Sequence, residues 1–193
     1  MQAIPVGNWL TAPISMYITQ DKKFSRDPYQ SGFTLIEIML AITIAGILAM
    51  MAIPEMNYAM DNSRVRTATS DIHTTLLLAR SEAIKRNGSI TINRGGAAWT
   101  DGWEVKTGST ILPNGKQEAI GGVDILCFTN TAGSTPCGAT LTFERTGRSS
   151  SYIEFRMYNS TDTNIPMRCV KVSLSGRPGS SVDSDNNAAD GCD

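Results

Sequence analysis

The 193-residue sequence has few of the residues that metal sites and catalytic sites need. It contains one histidine, His73, and four cysteines without a Cys-x-x-Cys spacing, so a zinc site is not expected. It also lacks a phosphate-binding glycine loop, a paired acid and base, and a nucleophile motif, and these absences argue against an enzyme. The formal net charge is −1, so no overall field favours a polyanionic partner. We therefore expect no catalytic residue, no bound metal and no cofactor.

Charge is also scarce in one long segment near the amino terminus. From Phe33 to Ile53 there are 21 residues, and Glu37 is the one charged residue among them. At about 1.5 Å per helical residue, this segment is long enough to cross roughly 30 Å of hydrocarbon. An ionised glutamate there costs about 2.5 to 3.5 kcal/mol on insertion scales, so its presence indicates a partner and a function. The segment is predicted to be a membrane helix.

The residues before this segment predict its orientation. Lys22, Lys23 and Arg26 precede the apolar core, whereas a secretory signal peptide is cut behind its apolar core. The core is therefore expected to stay in the mature protein. Basic residues favour the cytoplasmic side, so everything after Ile53 is expected on the outer side of the inner membrane. Met16 is an alternative start residue, and the sequence leaves that choice open.

The run GFTLIE, from Gly32 to Glu37, resembles the amino-terminal signature of type IV pilins and type II secretion pseudopilins. The resemblance implies that a prepilin peptidase removes a leader, residues 1–32, by cutting between Gly32 and Phe33, and that the new amino group of Phe33 is N-methylated. It also implies that Glu37 pairs with the amino terminus of a neighbouring subunit, because two charges that are costly in lipid offset one another. An ordinary signal-anchor helix with a stray glutamate is the alternative.

A second helical pattern follows Pro54. Apolar residues recur there at steps of three and four, as on the buried face of an amphipathic helix: Val65, Ala68, Ile72, Leu76, Ala79 and Ala83. Asn87 and Gly88 match a helix C-cap. We predict one helix, kinked at Pro54, in which residues 33–54 form the membrane segment and residues 55–88 pack on the head. Its charged face is expected to be solvated: Arg64, Arg66, Arg80, Lys85 and Arg86 with Asp61, Asp71 and Glu82.

Beyond Gly88 the apolar period changes to two, which predicts half-buried strands. The alternating residues are Ile90 with Ile92, Trp103 with Val105, Val123 with Ile125, Leu141 with Phe143, Ile153 with Phe155 and Met157, and Val170 with Val172 and Leu174. Turn residues such as Pro113-Asn114-Gly115 and Thr146-Gly147 separate them. Strands that follow a helix indicate an α+β fold, in which one or two antiparallel sheets pack on the helix. Residues 89–193 are thus predicted to form one β-rich head.

All four cysteines lie in this head, at Cys127, Cys137, Cys169 and Cys192. An even number of cysteines in an oxidising compartment indicates two disulfides, for which three pairings exist. We favour Cys127 with Cys137, which closes a short loop. The second disulfide, Cys169 with Cys192, would then tie the tail to a late strand.

The carboxyl-terminal tail contains a weak match to a calcium loop. Asp183, Asp185 and Asn187 have the required one-three-five spacing, but Ala188 stands where such a loop needs glycine. No bidentate glutamate follows to complete the coordination. A solvated acidic tail is therefore the expectation.

Two stretches of the head, LTFERTGRSS at 141–150 and RCVKVSLSGRPG at 168–179, resemble the FimT/FimU/GspH group of minor pilins and minor pseudopilins. Heads of this group share an F-x-x-x-G-R turn and a closing strand that ends in G-R. Gly147 and Gly176 are the glycines of these turns, and we expect both to adopt positive φ.

The resemblance implies two structural functions. The first is a minor type IV pilin at or near the pilus tip, which helps to initiate assembly together with the major and the other minor pilins. The other is a GspH-like minor pseudopilin of type II secretion. In both cases the protein is expected in the inner membrane with a periplasmic head, and afterwards in a pilus or pseudopilus.

A third function, binding of duplex DNA during natural transformation, is implied by the likeness to FimT. In FimT-like proteins a G-R-x-R turn contributes to DNA binding, and here that turn reads Gly176-Arg177-Pro178-Gly179, so the second arginine is absent. The candidate contacts are Arg177, Arg148 and Lys171, with Arg168 near them. Several cations must act together to hold phosphates, so the missing arginine counts against this function.

Overall fold

The computed structural model describes residues 32–130 and 135–192. The predicted leader therefore lies outside the described residues, except for Gly32. The chain divides into two units, Met1–Thr43 and Ile44–Asp193. Helix α1, Leu35–Arg86, begins in the first unit and ends in the second. Helix α1 continues through position 54 without interruption, and the kink at Pro54 stays a prediction.

The second half of α1 buries the face that the sequence predicts. Each of the six residues of the apolar stripe is at most 2% exposed: Val65, Ala68, Ile72, Leu76, Ala79 and Ala83. The helix ends where Asn87 turns to a φ of 48°. There the Asn87 N–H donates to the Ile84 carbonyl at 3.2 Å and the Gly88 N–H donates to the Ala83 carbonyl at 3.1 Å. This pair of bonds is a Schellman cap, which confirms the predicted end of the helix.

The strands form two antiparallel sheets of four strands each. Sheet A has the order β3-β2-β1-β5, and its strands are β1 (Ile90–Arg94), β2 (Trp103–Thr107), β3 (Thr110–Gln117) and β5 (Thr140–Phe143). Sheet B has the order β4-β6-β7-β8, and its strands are β4 (Asp124–Phe128), β6 (Ile153–Tyr158), β7 (Arg168–Val172) and β8 (Pro178–Val182). The α+β prediction is confirmed, and of the one or two antiparallel sheets that it allowed the structure has two.

One hydrophobic core joins the buried stripe of α1 to residues of both sheets. Trp103 of β2 is 2% exposed, and its indole Nε1 donates to the Thr75 hydroxyl of α1 at 3.0 Å. Trp99, in the short 3-10 helix Trp99–Asp101, meets Phe155 of β6 edge to face, with ring centroids 5.1 Å apart. Aromatic pairs favour this geometry, so the contact joins the 3-10 helix to sheet B within the core.

The predicted turn at Pro113-Asn114-Gly115 is wrong, because these residues lie inside β3. Lys106 of β2 pairs with Ile111 and Glu104 pairs with Lys116, so β3 carries extra residues opposite β2. Asn114 has a φ of 57°, a left-handed conformation that also occurs in one type of β-bulge. The same residue types serve turns and bulges, so the sequence did not separate the two.

The carboxyl-terminal end also differs from the prediction. Leu174, expected in the last strand, lies outside β7 and is 52% exposed. An eighth strand, β8, follows it and has no apolar alternation because it is an exposed edge strand. Asp185 is exposed as expected, but Asp183 and Cys192 are each 6% exposed. The expectation of a solvated tail is therefore wrong for Asp183, whereas the burial of Cys192 agrees with the predicted disulfide to Cys169.

Candidate functional site

The first turn of α1 is closed by two reciprocal hydrogen bonds between Thr34 and Glu37. The Glu37 N–H donates to the Thr34 hydroxyl at 3.3 Å, and the Thr34 N–H donates to the Glu37 carboxylate at 3.5 Å. This is a capping box, which satisfies two amide groups that the start of a helix leaves unpaired. Glu37 thus stabilises its own helix start, and its exposed carboxylate has no further hydrogen bond within the described residues.

The predicted cleavage site, Gly32-Phe33, is exposed and not helical. No described atom lies within 4 Å of the position that a Cβ on Gly32 would occupy. The fold of the described chain therefore gives no reason for glycine at this position. Phe33 is 79% exposed.

Every described apolar side chain from Phe33 to Met60 is exposed. By length and composition, α1 is able to cross a membrane. Water does not solvate so long an apolar surface well, so it needs a bilayer or other protein chains around it. The exposed residues include Leu40, Ile47 and Met51, with exposed fractions of 60%, 59% and 72%.

Two glycine-arginine turns of the head contact each other. Gly147 and Gly176 have φ values of 74° and 76°, as expected. A Cβ on Gly176 would overlap the Gly147 carbonyl oxygen, so the two backbones are in direct contact. A Cβ on Gly147 would lie 2.6 Å from Ile84 Cδ1, so that turn packs on α1. The two turns and the end of α1 thus form one corner of the head.

Three arginines belong to this corner. Arg148 and Arg177 follow the two glycines directly and are exposed. The half-buried Arg80 of α1 passes 3.3 Å from the Cβ position of Gly147. None of these three forms an ion pair within the part of the chain that the structure describes. The sequence placed Arg80 on the solvated helix face and gave no signal for its position beside Gly147.

The sequence also grouped Lys171 and Arg168 with Arg177, and Lys171 of β7 lies opposite Gly179 in the ladder to β8. The Lys171 Nζ donates to the Cys192 carbonyl oxygen and is therefore already engaged. Arg168 is the first residue of β7 and lies opposite Val182 of β8 in the strand register. The turn with Gly176 follows the other end of β7. Burial, with a smaller effect of Arg66, holds the pKa of Arg168 below its ordinary value. The expectation that Arg168 lies near Arg177 is wrong, because β7 separates them.

Other charges of α1 pair along the helix. Arg86 Nε lies 2.6 Å and Lys85 Nζ lies 3.4 Å from the Glu82 carboxylate. The hydrogen bond from Arg86, helped by Lys85, holds the pKa of Glu82 below its ordinary value. Arg64 pairs with Asp61 at 2.7 Å in the same manner. These pairs agree with a solvated helix face rather than a binding stripe.

The structure contains the two disulfides that the sequence favours. Cys127 is bonded to Cys137, and the bridge closes the loop after β4. Cys169 of β7 is bonded to Cys192 in the tail. Both bridges thus lie in sheet B or beside it.

The sequence of this chain matches models of known protein families. The sequence model described as type II transport protein GspH matches residues 68–176, which is more than half of the chain. The chain belongs to the GspH family. The prokaryotic N-terminal methylation motif matches residues 27–53 as well. Members of the GspH family are pilin-like structural subunits that assemble with other pilins or pseudopilins, and they are not enzymes.

One curated relative of this GspH family member is the type II secretion system core protein G of Pseudomonas aeruginosa PAO1. The two are 49% identical over 43 residues, which is 22% of this chain and 30% of that protein. The match thus spans less than a third of the relative's length.

The fold of this chain resembles that of a solved minor pilin. The type IV minor pilin FimU of Pseudomonas aeruginosa PAO1 aligns with a TM-score of 0.51 at 20% identity, over 67% of this chain and 96% of that one. The minor pseudopilin EpsH from the type 2 secretion system of Vibrio cholerae aligns with a TM-score of 0.48 at 10% identity, over 62% of this chain and 97% of that one. The alignment with FimU establishes a pilin-like fold for this GspH family member.

Proposed function

We propose that the protein is a minor type IV pilin, a structural subunit at or near the pilus tip that helps to initiate pilus assembly. The exposed apolar surface from Phe33 to Met60, with Glu37 near its start, supports this proposal best. In a filament the apolar surface is covered by neighbouring subunits after it leaves the bilayer. The Glu37 carboxylate then forms an ion pair with the amino terminus of a neighbouring subunit, because an unpaired charge in an apolar bundle is costly.

Maturation precedes this pairing. A prepilin peptidase cuts after Gly32, and methylation of Phe33 gives the amino terminus that pairs with Glu37. The exposed, non-helical Gly32-Phe33 bond supports access by the enzyme. The space around Gly32 is open, so packing within this chain does not require glycine there. A narrow subsite of the peptidase would require it.

Substitution of Glu37 tests the proposal. Glu37→Gln keeps a side-chain oxygen for the Thr34 cap but removes the charge, whereas Glu37→Ala removes both. We expect both variants to enter the membrane normally and to be depleted in sheared filaments by about tenfold or more, since an unpaired terminal charge in apolar surroundings costs several kcal/mol. Immunoblots of membrane and filament fractions measure both amounts.

Glu55→Ala is the matched control, because Glu55 is another exposed carboxylate of α1. We expect it to reach the filament at the parental level. Parental amounts of Glu37→Gln in filaments together with loss of Glu37→Ala would assign Glu37 to the helix cap alone and would overturn the pairing. Parental amounts of both variants would overturn it as well.

A minor pseudopilin of type II secretion is a second candidate. The match to the GspH model and the identity with core protein G over 43 residues favour it. Pilus and pseudopilus use the same anchor, so the Glu37 variants do not separate them. Deletion of the gene does: loss of surface pili with normal exoprotein secretion supports the pilin, and the opposite result supports the pseudopilin.

Binding of duplex DNA is a third candidate, favoured by the contact between Gly147 and Gly176. That contact brings the turns of Arg148 and Arg177 together, and Arg80 adds a further cation. A gel shift of the full chain in non-ionic detergent at low salt tests it. DNA binding should fall steeply with salt, because phosphate contacts release counterions.

In that assay Arg177→Ala should abolish the shift. Lys116→Ala is the control, since Lys116 is exposed on β3 and pairs with Glu118 at 2.9 Å. Absence of a shift for the parental protein, or an equal loss in both variants, would refute DNA binding at this corner.

A further inference from the structure

The outer face of sheet B contains a buried pair of opposite charges. Along β6, Phe155 and its neighbours on the same face join the main core, whereas Glu154 and Arg156 point to the opposite face. On an open antiparallel sheet that face is solvated. Here Glu154 is 3% exposed and Arg156 is fully buried. Something in the chain therefore covers them.

The cover is the carboxyl-terminal segment 188–192, which we call the strap. Arg156 Nη1 donates to the Ala188 carbonyl at 2.8 Å, and the Cys192 N–H donates to a Glu154 carboxylate oxygen at 3.3 Å. The Lys171 ammonium donates to the Cys192 carbonyl. All three bonds involve backbone groups of the strap, so they depend on its backbone conformation and not on its side chains.

The charges under the strap are also held by one another. Arg156 Nε lies 3.0 Å from Glu154 Oε1, and its guanidinium lies 4.2 Å above the ring centre of Phe128. Buried charges of this kind need full hydrogen bonding, since an unpaired one costs several kcal/mol. The strap supplies bonds that β6 by itself does not, so its docking and the burial of this pair depend on each other.

The strap also closes a second, smaller core that is separate from the main one. Its buried members are Met167, Cys169 and Cys192, and the partly buried Tyr158 and Ala188 pack against them. The Cys169–Cys192 disulfide crosses this core and links the strap to β7. A segment of five residues gains little from apolar contacts alone, so a covalent link is the strongest element of its attachment.

We propose that the strap is a latch that depends on oxidation: it closes over Glu154 and Arg156 when the Cys169–Cys192 disulfide forms, and it opens when that bond is reduced. Closure is a two-electron oxidation. A disulfide oxidant accepts two electrons and two protons from the two thiols, so that the Cys169–Cys192 bond forms while the bond of the oxidant breaks into two thiols. The newly made chain would therefore keep this face open until it reaches an oxidising compartment. This inference does not depend on the filament function.

The test uses the full chain in non-ionic detergent micelles. In a C127S/C137S variant the latch is the one remaining disulfide, so dithiothreitol acts on it alone. We expect amide hydrogen exchange in residues 188–192 to become at least about tenfold faster on reduction and to return after reoxidation with oxidised glutathione. The peptide that contains β1 should keep its exchange rate, because it belongs to the main core.

Two outcomes would overturn the proposal. One is unchanged exchange in the strap after mass spectrometry has shown complete reduction. The other is an equal acceleration in β1, which would mean that the whole head loosens. The C169S/C192S variant gives the same comparison without a reductant, and its strap should exchange as fast as that of the reduced protein.

A second substitution tests the recognition of the backbone while the disulfide stays intact. A Cβ on Gly191 would lie 2.9 Å from Arg156 Nη2 and 3.1 Å from Glu154 Oε1, and its φ is 101°. We expect Gly191→Ala to accelerate exchange in the strap several-fold. Gly179→Ala is the control, because no atom lies within 4 Å of its Cβ position. Equal exchange in the two variants would refute the role of Glu154 and Arg156.

Discussion

Single residues of this chain take part in more than one interaction. Glu37 caps its own helix through Thr34 and is also the carboxylate that we propose for a neighbour's amino terminus. Gly176 allows a turn with positive φ and also allows the backbone of Gly147 to approach. In both cases a substitution removes two effects at once, so matched variants are needed to separate them.

Gly176→Ala should destabilise the head strongly. The new Cβ would overlap the Gly147 carbonyl oxygen, and alanine disfavours the φ of 76°. We expect a loss of about 3 kcal/mol in the free energy of unfolding, from strain and overpacking. Denaturant titration followed by tryptophan fluorescence measures it. Gly179→Ala, where space is open, should change stability by less than about 0.5 kcal/mol. A similar stability of the two variants would contradict the close contact.

Among the elements, α1 presents apolar residues to two different surroundings. Before residue 61 its described apolar side chains are exposed, and from Val65 to Ala83 one stripe is buried in the core. The period of three and four is confined to the second part, because only there does one face of the helix meet the sheets. The stripe includes small residues such as Ala79 and Ala83, which are both fully buried.

Neighbouring leucines of α1 give a sharp test of this packing. Leu76 is 1% exposed, whereas Leu77 is 44% exposed. We expect Leu76→Ala to cost about 2 to 5 kcal/mol, from lost apolar burial and the cavity left behind. Leu77→Ala should cost less than about 1 kcal/mol. Unfolding in urea, followed by near-UV circular dichroism, compares them. Equal midpoints for the two variants would mean that the stripe does not face the core.

For the molecule as a whole, the exposed apolar surface of α1 is the property that needs an explanation outside the chain. The described residues of Ile44–Asp193 bury a core of their own, and every described apolar side chain from Phe33 to Met60 is exposed. A protein with this surface is expected in a membrane or among other subunits. The proposed removal of residues 1–32 sets the moment at which Phe33 becomes available for pairing.

The mature protein should begin at N-methylated Phe33. Intact mass and amino-terminal sequencing of the protein from sheared filaments measure this directly. Gly32→Ala should slow the appearance of the mature form in pulse-chase experiments, because a Cβ would enter the narrow subsite of the peptidase. Ser31→Ala is a suitable control, and it should mature at the parental rate. A mature protein that begins elsewhere would overturn the filament proposal.

The helix and strands that the sequence predicts are those with a hydrophobic period over a few residues. The stripe from Val65 to Ala83 and the alternation in β1, β2 and β6 repeat over a few residues, so the helix, most strands and the α+β class followed from them. The first helical turn also has the Thr34-x-x-Glu37 spacing of a capping box. From the sequence we expect a neighbouring subunit as the partner of Glu37, and we did not predict this cap. The favoured disulfide pairing followed from loop length and position.

The apolar segment of α1, the buried helix face and the alternating strands follow from the amino-acid order alone, because each depends on residues that are close along the chain. The bulge in β3, the strand β8, the contact of Gly147 with Gly176 and the docking of the strap became known from the folded chain. These depend on register and on backbone contacts between distant residues, such as Arg156 and Ala188, which are 32 positions apart. Backbone contacts leave no hydrophobic pattern in a sequence, and for that physical reason they became visible only in the folded chain.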